Sequence, residues 1–145
     1  MDRRELLGVL GAGALGVAAT ASRPVRADDE HKHHEHDDHL KTLGHCAKVC
    51  NEAAHHCLDQ LKSGGSHGEQ HARAHEATMD CQAFCTLTAA LMARNSPMAG
   101  YAHQACADAC RDCARACEGQ QDEIMKECVK ACRECESMCR SMKKG

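Results

Sequence analysis

Tryptophan is absent from this chain, and Tyr101 and Phe84 are its only aromatic side chains. Beyond residue 27 the large aliphatic and Phe residues are Leu40, Leu43, Val49, Leu58, Leu61, Phe84, Leu87, Leu91, Ile124 and Val129. That set is too small for a conventional hydrophobic core, and composition alone leans towards disorder. No basic patch is interleaved with aromatics, and the net charge is −3, so nothing argues for a nucleic-acid partner. No stretch is long and apolar enough for a permanent membrane span. No serine–histidine–acid set, Gly-rich phosphate loop or pair of catalytic carboxylates is readable, and His55, His56 and His103 are too isolated to nominate as bases. The sequence therefore points away from an enzyme.

What the chain has instead is cysteine, thirteen of them in 145 residues. Eight fall into two copies of one pattern: Cys106, Cys110, Cys113, Cys117, and then Cys128, Cys132, Cys135, Cys139. Steps of four, three and four are the repeat of one helix face, not of a strand. At about 100° per residue the four thiols of each segment fall within an arc of about 60°. Each helix thus presents sulfur where a soluble helix ordinarily presents Leu and Ile.

Taken in order, residues 1–27 read as an export signal. Arg3-Arg4-Glu5-Leu6-Leu7 matches the core of a twin-arginine signal. A mild Gly/Ala/Leu/Val run and a small-residue cleavage site at Val25-Arg26-Ala27 follow. The expected location is therefore periplasmic or otherwise extracytoplasmic. Residues 28–39 are acidic and His-rich, lack an apolar period and are expected to be a disordered leader. Their histidines could gather metal loosely or do nothing specific.

Residues 40–145 read as the folded domain. Leu43, Cys46, Cys50, Cys57 and Leu61 share one face of a first helix, with Ala53 on the same stripe. Ser63-Gly64-Gly65 stops it, and Ser66 to Glu69 has the spacing of a capping box for the second. That helix carries Ala74, Thr78, Cys81, Cys85, Thr88 and Met92 on one face. Ser96 and Pro97 are expected to cap and open the third helix, and Gly119 to close it. The fourth runs from about Gln121 to Met142. Four helices of about twenty residues with short connections predict an all-α, antiparallel up-down-up-down bundle with a Cys-lined core.

Several uses of inward thiols compete. A disulfide scaffold suits an exported protein. However, thirteen is odd, and bridging i, i+3 or i, i+4 pairs closes only short loops. Such a bundle would show few free thiols. Zinc favours four ligands and CxxC knuckles, and Cys110–Cys113 and Cys132–Cys135 have that spacing, but one or two sites leave most thiols unexplained. Iron–sulfur motifs are absent. A thiol oxidoreductase would need one activated CxxC near a helix N-terminus, whereas these pairs are mid-helix and repeated. Cu(I) is soft, prefers thiolate and accepts two or three shared sulfurs, so it alone uses every cysteine and accounts for the missing aliphatic core. General soft-metal detoxification stays open as an alternative.

The ladder from His45-Cys46 through His56-Cys57, Cys81 and Cys85 and the paired four-three-four repeats resembles the bacterial copper storage proteins over about residues 40–142. The resemblance implies a four-helix bundle that holds many Cu(I) ions. The implied ligands are Cys46, Cys50, Cys57, Cys81, Cys85, Cys106, Cys110, Cys113, Cys117, Cys128, Cys132, Cys135 and Cys139. It also implies a homotetramer of the exported branch, and a copper donor or acceptor protein as a possible partner. Ala53 and Thr88 on the stripe imply a smaller capacity than that of cysteine-richer cytosolic members.

Antiparallel packing would gather His39, His45, Met92, Met98, His103, Met138 and Met142 at one end of the bundle. Of these, His45, Met92, Met98, His103 and Met142 are the candidate copper entrance, because thioether and imidazole bind Cu(I) more exchangeably than thiolate. Plugging the core end is the other reading of the methionines. Met125, His71 and His75 compete for the same role at the opposite end.

Overall fold

The computed structural model describes residues 27–64 and 66–142, with side chains from residue 35 onward. It contains α1 (Ala27–Lys62), α2 (Gly68–Ala93), α3 (Ala99–Cys117) and α4 (Glu123–Ser141). Each helix packs against its two neighbours in the order α1, α2, α3, α4 and back to α1, and the diagonal helices α2 and α4 meet only through side chains on the axis. This is the expected up-down-up-down bundle.

The turns follow from residues that tolerate a left-handed backbone. Gly64 (φ 71°), Asn95 (φ 51°) and Gly119 (φ 84°) lie just past the ends of α1, α2 and α3. Gly119 therefore closes α3 as the sequence predicts. The N-termini differ from expectation. His67 rather than Ser66 precedes α2, with no side-chain cap. The third helix opens at Ala99, and Ser96 instead folds the preceding turn, its Oγ accepting from Met98 N at 3.3 Å and its carbonyl from Ala99 N at 3.0 Å.

The larger difference lies at the start. Helix α1 begins at Ala27 and runs through the segment whose composition predicts disorder. Composition is a weak guide where tertiary contact intervenes. Here His36 Nε2 reaches the Met92 carbonyl at 3.3 Å, tying the leader to the last turn of α2, and Thr42 Oγ1 donates to Asp38 O at 3.0 Å. The expected export signal lies outside the described residues except for Ala27.

The core is built from the inward stripes. All thirteen cysteines are buried, together with Leu43, Ala53, Ala74, Ala107, Ala114, Met125 and Ala131. Small side chains at these positions let the four backbones close on one axis. Thr78 and Thr88 are fully buried too, but their hydroxyls donate to backbone carbonyls: Thr78 to Ala74 and His75, both at 2.8 Å, and Thr88 to Phe84 at 2.7 Å. With its hydroxyl satisfied, threonine can fill the stripe without an orphaned polar group. Charged residues face outwards. Arg140 bridges Glu136 on its own helix and Asp108 on α3, and Arg133 pairs with Glu118. These exposed pairs add little to stability. Among the described residues no helix is long and apolar enough to cross a membrane.

Candidate metal centre

The stripes converge because the helical repeat is kept in register on all four helices. Helices α3 and α4 contribute four thiols each, α1 three and α2 two. Antiparallel packing interleaves them. Cys81 lies 3.5 Å from Cys110 and 3.8 Å from Cys132. Cys50 lies 3.6 Å from Cys132 and 3.9 Å from Cys128. Cys85 lies 3.6 Å from Cys106 and 3.8 Å from Cys135. A disulfide needs about 2.05 Å between sulfurs. All thirteen cysteines are free thiols.

Four clusters of four sulfurs form, with every Sγ in a cluster within 4.8 Å of the others. They are Cys46, Cys81, Cys85, Cys110; Cys46, Cys50, Cys81, Cys132; Cys50, Cys113, Cys128, Cys132; and Cys85, Cys106, Cys110, Cys135. Each draws on three helices, and the clusters share corners. Cys46, Cys50, Cys81, Cys85, Cys110 and Cys132 each belong to two. Of the remaining thiols, Cys117 is 3.9 Å from Cys128, and Cys57 is 3.9 Å from Met125 Sδ. Cys139 is buried on the same stripe of α4.

The electrostatics divide the thiols: hydrogen bonds from neighbouring thiols lower Cys46, Cys81, Cys106 and Cys128, while others are raised. Burial pushes the Cys57 thiol up to about 11, and nearby Cys128 and Asp122 add to the shift. The thiols of Cys110 and Cys132 are held protonated far above the ordinary range. Cys110 is raised by its hydrogen bonds with Cys106, Cys135, Cys46 and Cys81, and Cys132 by those with Cys113, Cys128, Cys46 and Cys50. Thirteen adjacent thiolates would repel one another in a dry interior. A bound cation replaces the thiol protons and removes that repulsion.

One end of the bundle opens into a cavity of about 580 Å³ lined by His36, Met92, Tyr101, His103 and Met142, among others. Of the predicted entrance residues the structure brings Met92, His103 and Met142 together here. His103 is buried, donates a hydrogen bond from Nδ1 to Ala99 O at 2.8 Å, and leaves Nε2 unpaired. Two predicted members are elsewhere. His45 precedes Cys46 by one residue, which turns it about 100° off the core stripe. It is half-exposed and faces Glu127 at 3.7 Å. Met98 sits in the turn before α3, 53% exposed and outside the cavity lining. His39 lines a small pocket with His36, Met92 and Met142 and, with Met138, a more open cleft along α4. The residue that sequence reasoning missed at the mouth is His36, assigned to a disordered leader. Its signal was the spacing of His36 and Leu40 ahead of Leu43, which continues the α1 face.

Clustered, corner-sharing thiols on four helices define a bundle that binds soft metal ions in its interior. A sequence profile for the copper storage proteins matches residues 32–144, and the chain belongs to that family. Among solved structures the fold is similar to the Cu(I)-bound copper storage protein BsCsp3, at a TM-score of 0.67 and 26% identity. That alignment covers 74% of this chain and 97% of the other. No curated protein matches the chain.

The shared corners make thiols unequal. Replacing Cys132, which lies within 3.9 Å of Cys46, Cys50 and Cys81, is expected to disturb two clusters at once. Cys132→Ser should lower Cu(I) capacity by about two ions, and Cys117→Ser by no more than about one, because each soft ion needs only two or three shared sulfurs. Copper counted after gel filtration of loaded variants checks this, with helix content measured in parallel. Equal losses would mean that the clusters do not share ligands.

Proposed function

We propose that this protein stores multiple Cu(I) ions on the inward thiolates of its thirteen cysteines. The observation that carries the reading is the chain of four-sulfur clusters with common corners. A set of isolated tetrahedral zinc sites needs separate ligand sets. Cu(I) tolerates two or three sulfurs and bridging thiolates, so it suits a continuous sulfur lattice. Membership of the copper storage family and likeness to a Cu(I)-bound member support the same metal. The role is one of holding and releasing ions, not of catalysis. The stored copper is available to copper enzymes, and its sequestration protects against free copper.

The cavity at the mouth is the route by which ions pass. Met92, Met142, His36 and His103 offer weaker ligands than the thiolates beyond them, so an ion can bind there and move inwards. Arg3-Arg4 and the apolar run behind them support export by the twin-arginine route to an extracytoplasmic compartment. Met79, Phe84 and Leu87 are exposed large apolar side chains on α2, which supports assembly into a homo-oligomer, a tetramer as in the exported branch.

Anaerobic Cu(I) titration of the reduced protein, against a chromophoric Cu(I) chelator, tests storage. Uptake of roughly one Cu(I) per thiol is expected, with pre-bound zinc displaced, because thiolate is the ligand that soft Cu(I) prefers. Saturation at one or two ions, or zinc that holds its place, would refute storage. For export, Arg3→Lys with Arg4→Lys is expected to leave the full-length chain in the cytoplasmic fraction of a bacterial host. Unchanged translocation would exclude the twin-arginine route.

A further inference from the structure

The core stripes run past the last thiol at both ends of the bundle. On α2 the buried positions read His71, Ala74, Thr78, Cys81, Cys85, Thr88, Leu91 and Met92. On α4 Met125 precedes Cys128, and Met142 follows Cys139. The end bearing Met92 and Met142 is the open cavity. The opposite end carries the same kinds of side chain, but among the described residues these are buried and close it.

At that closed end Cys57 Sγ lies 3.9 Å from Met125 Sδ, and both residues are fully buried. Cys57 belongs to none of the four-sulfur clusters. His71 occupies the next inward position of α2 and is only 9% exposed, yet its Nδ1 has no hydrogen-bond partner. Gln120 is equally buried, and neither atom of its amide is paired. His56, adjacent to Cys57, sets its ring edge-on to His71 with centroids 6.0 Å apart. The His56 Nε2 is also unpaired, and Asp122 Oδ2 is 3.6 Å away, beyond hydrogen-bonding reach. His75 is different: its Nδ1 is engaged with Ala54 O at 2.9 Å, and it falls off the stripe.

Buried imidazole and amide groups without partners oppose folding. Packing does not require them, since a small apolar residue at 71 would continue the stripe as Ala74 does. Imidazole, thioether and thiolate together are a ligand set for a soft monovalent cation. We propose that the closed end is a separate Cu(I) site, held by Cys57, Met125 and His71. On binding, the Cys57 thiol loses its proton to solvent and the ion stays Cu(I), so no redox step is involved. The site rests on the storage reading for its metal, but on its own residues for its position.

The test uses the full chain with 15N-labelled histidine, titrated anaerobically with Cu(I) while long-range 1H–15N spectra follow each imidazole nitrogen. The His71 Nδ1 resonance is expected to move on loading. In Met125→Leu and Cys57→Ser it should stay still, and each variant should bind about one Cu(I) fewer, as one soft ion loses a ligand it needs. Full loading of the wild-type protein with His71 unmoved would overturn the terminal site and leave storage intact. Failure of the wild type to load beyond one or two ions would overturn storage, and the His71 resonance would still decide the terminal site.

Discussion

Everything in this structure depends on sulfur taking the place of hydrocarbon along a helical repeat. A bundle core needs an apolar stripe on each helix, and cysteine is apolar enough to be buried as a thiol. It is also small, so the backbones close until sulfurs from neighbouring helices lie 3.5–4.0 Å apart. At that separation one soft ion can reach two or three sulfurs from different helices. The requirement for a packed core and the requirement for a metal lattice are therefore met by the same residues. Leu43 and the alanines only complete the packing.

The same constraint explains the non-cysteine positions. Thr78 and Thr88 sit on the α2 stripe with their hydroxyls returned to backbone carbonyls, which leaves α2 the poorest helix in ligands. Beyond the thiols the stripes change to methionine, histidine and glutamine. At one end these residues surround an open cavity. At the other they are packed in, with His71 and Gln120 unpaired. The bundle thus has thiols in the middle and thioether, imidazole and amide groups at its ends.

The architecture was legible because cysteine spacing reports helix phase directly, and short Gly- and Pro-bearing connections force antiparallel neighbours. The thirteen inward thiols were legible for the same reason. What composition could not give was the leader. Its acidic, His-rich residues look disordered, yet His36 docks on the Met92 carbonyl and brings α1 one layer further. Helix phase also decides the mouth residues: Met92, His103 and Met142 continue the stripes and line the cavity, whereas His45 is one residue off phase and Met98 lies in a turn. The unpaired state of His71 was invisible in sequence, because pairing depends on which atoms arrive from α1 and α4.

The central claim is that the thiols form one shared lattice. Copper K-edge X-ray absorption of the fully loaded protein tests it most directly. The account predicts two or three sulfurs around each copper, with a neighbouring copper in the next shell, because soft Cu(I) is satisfied by few, bridging thiolates. Isolated metal ions, each with its own four sulfurs or with mainly nitrogen and oxygen ligands, would contradict it.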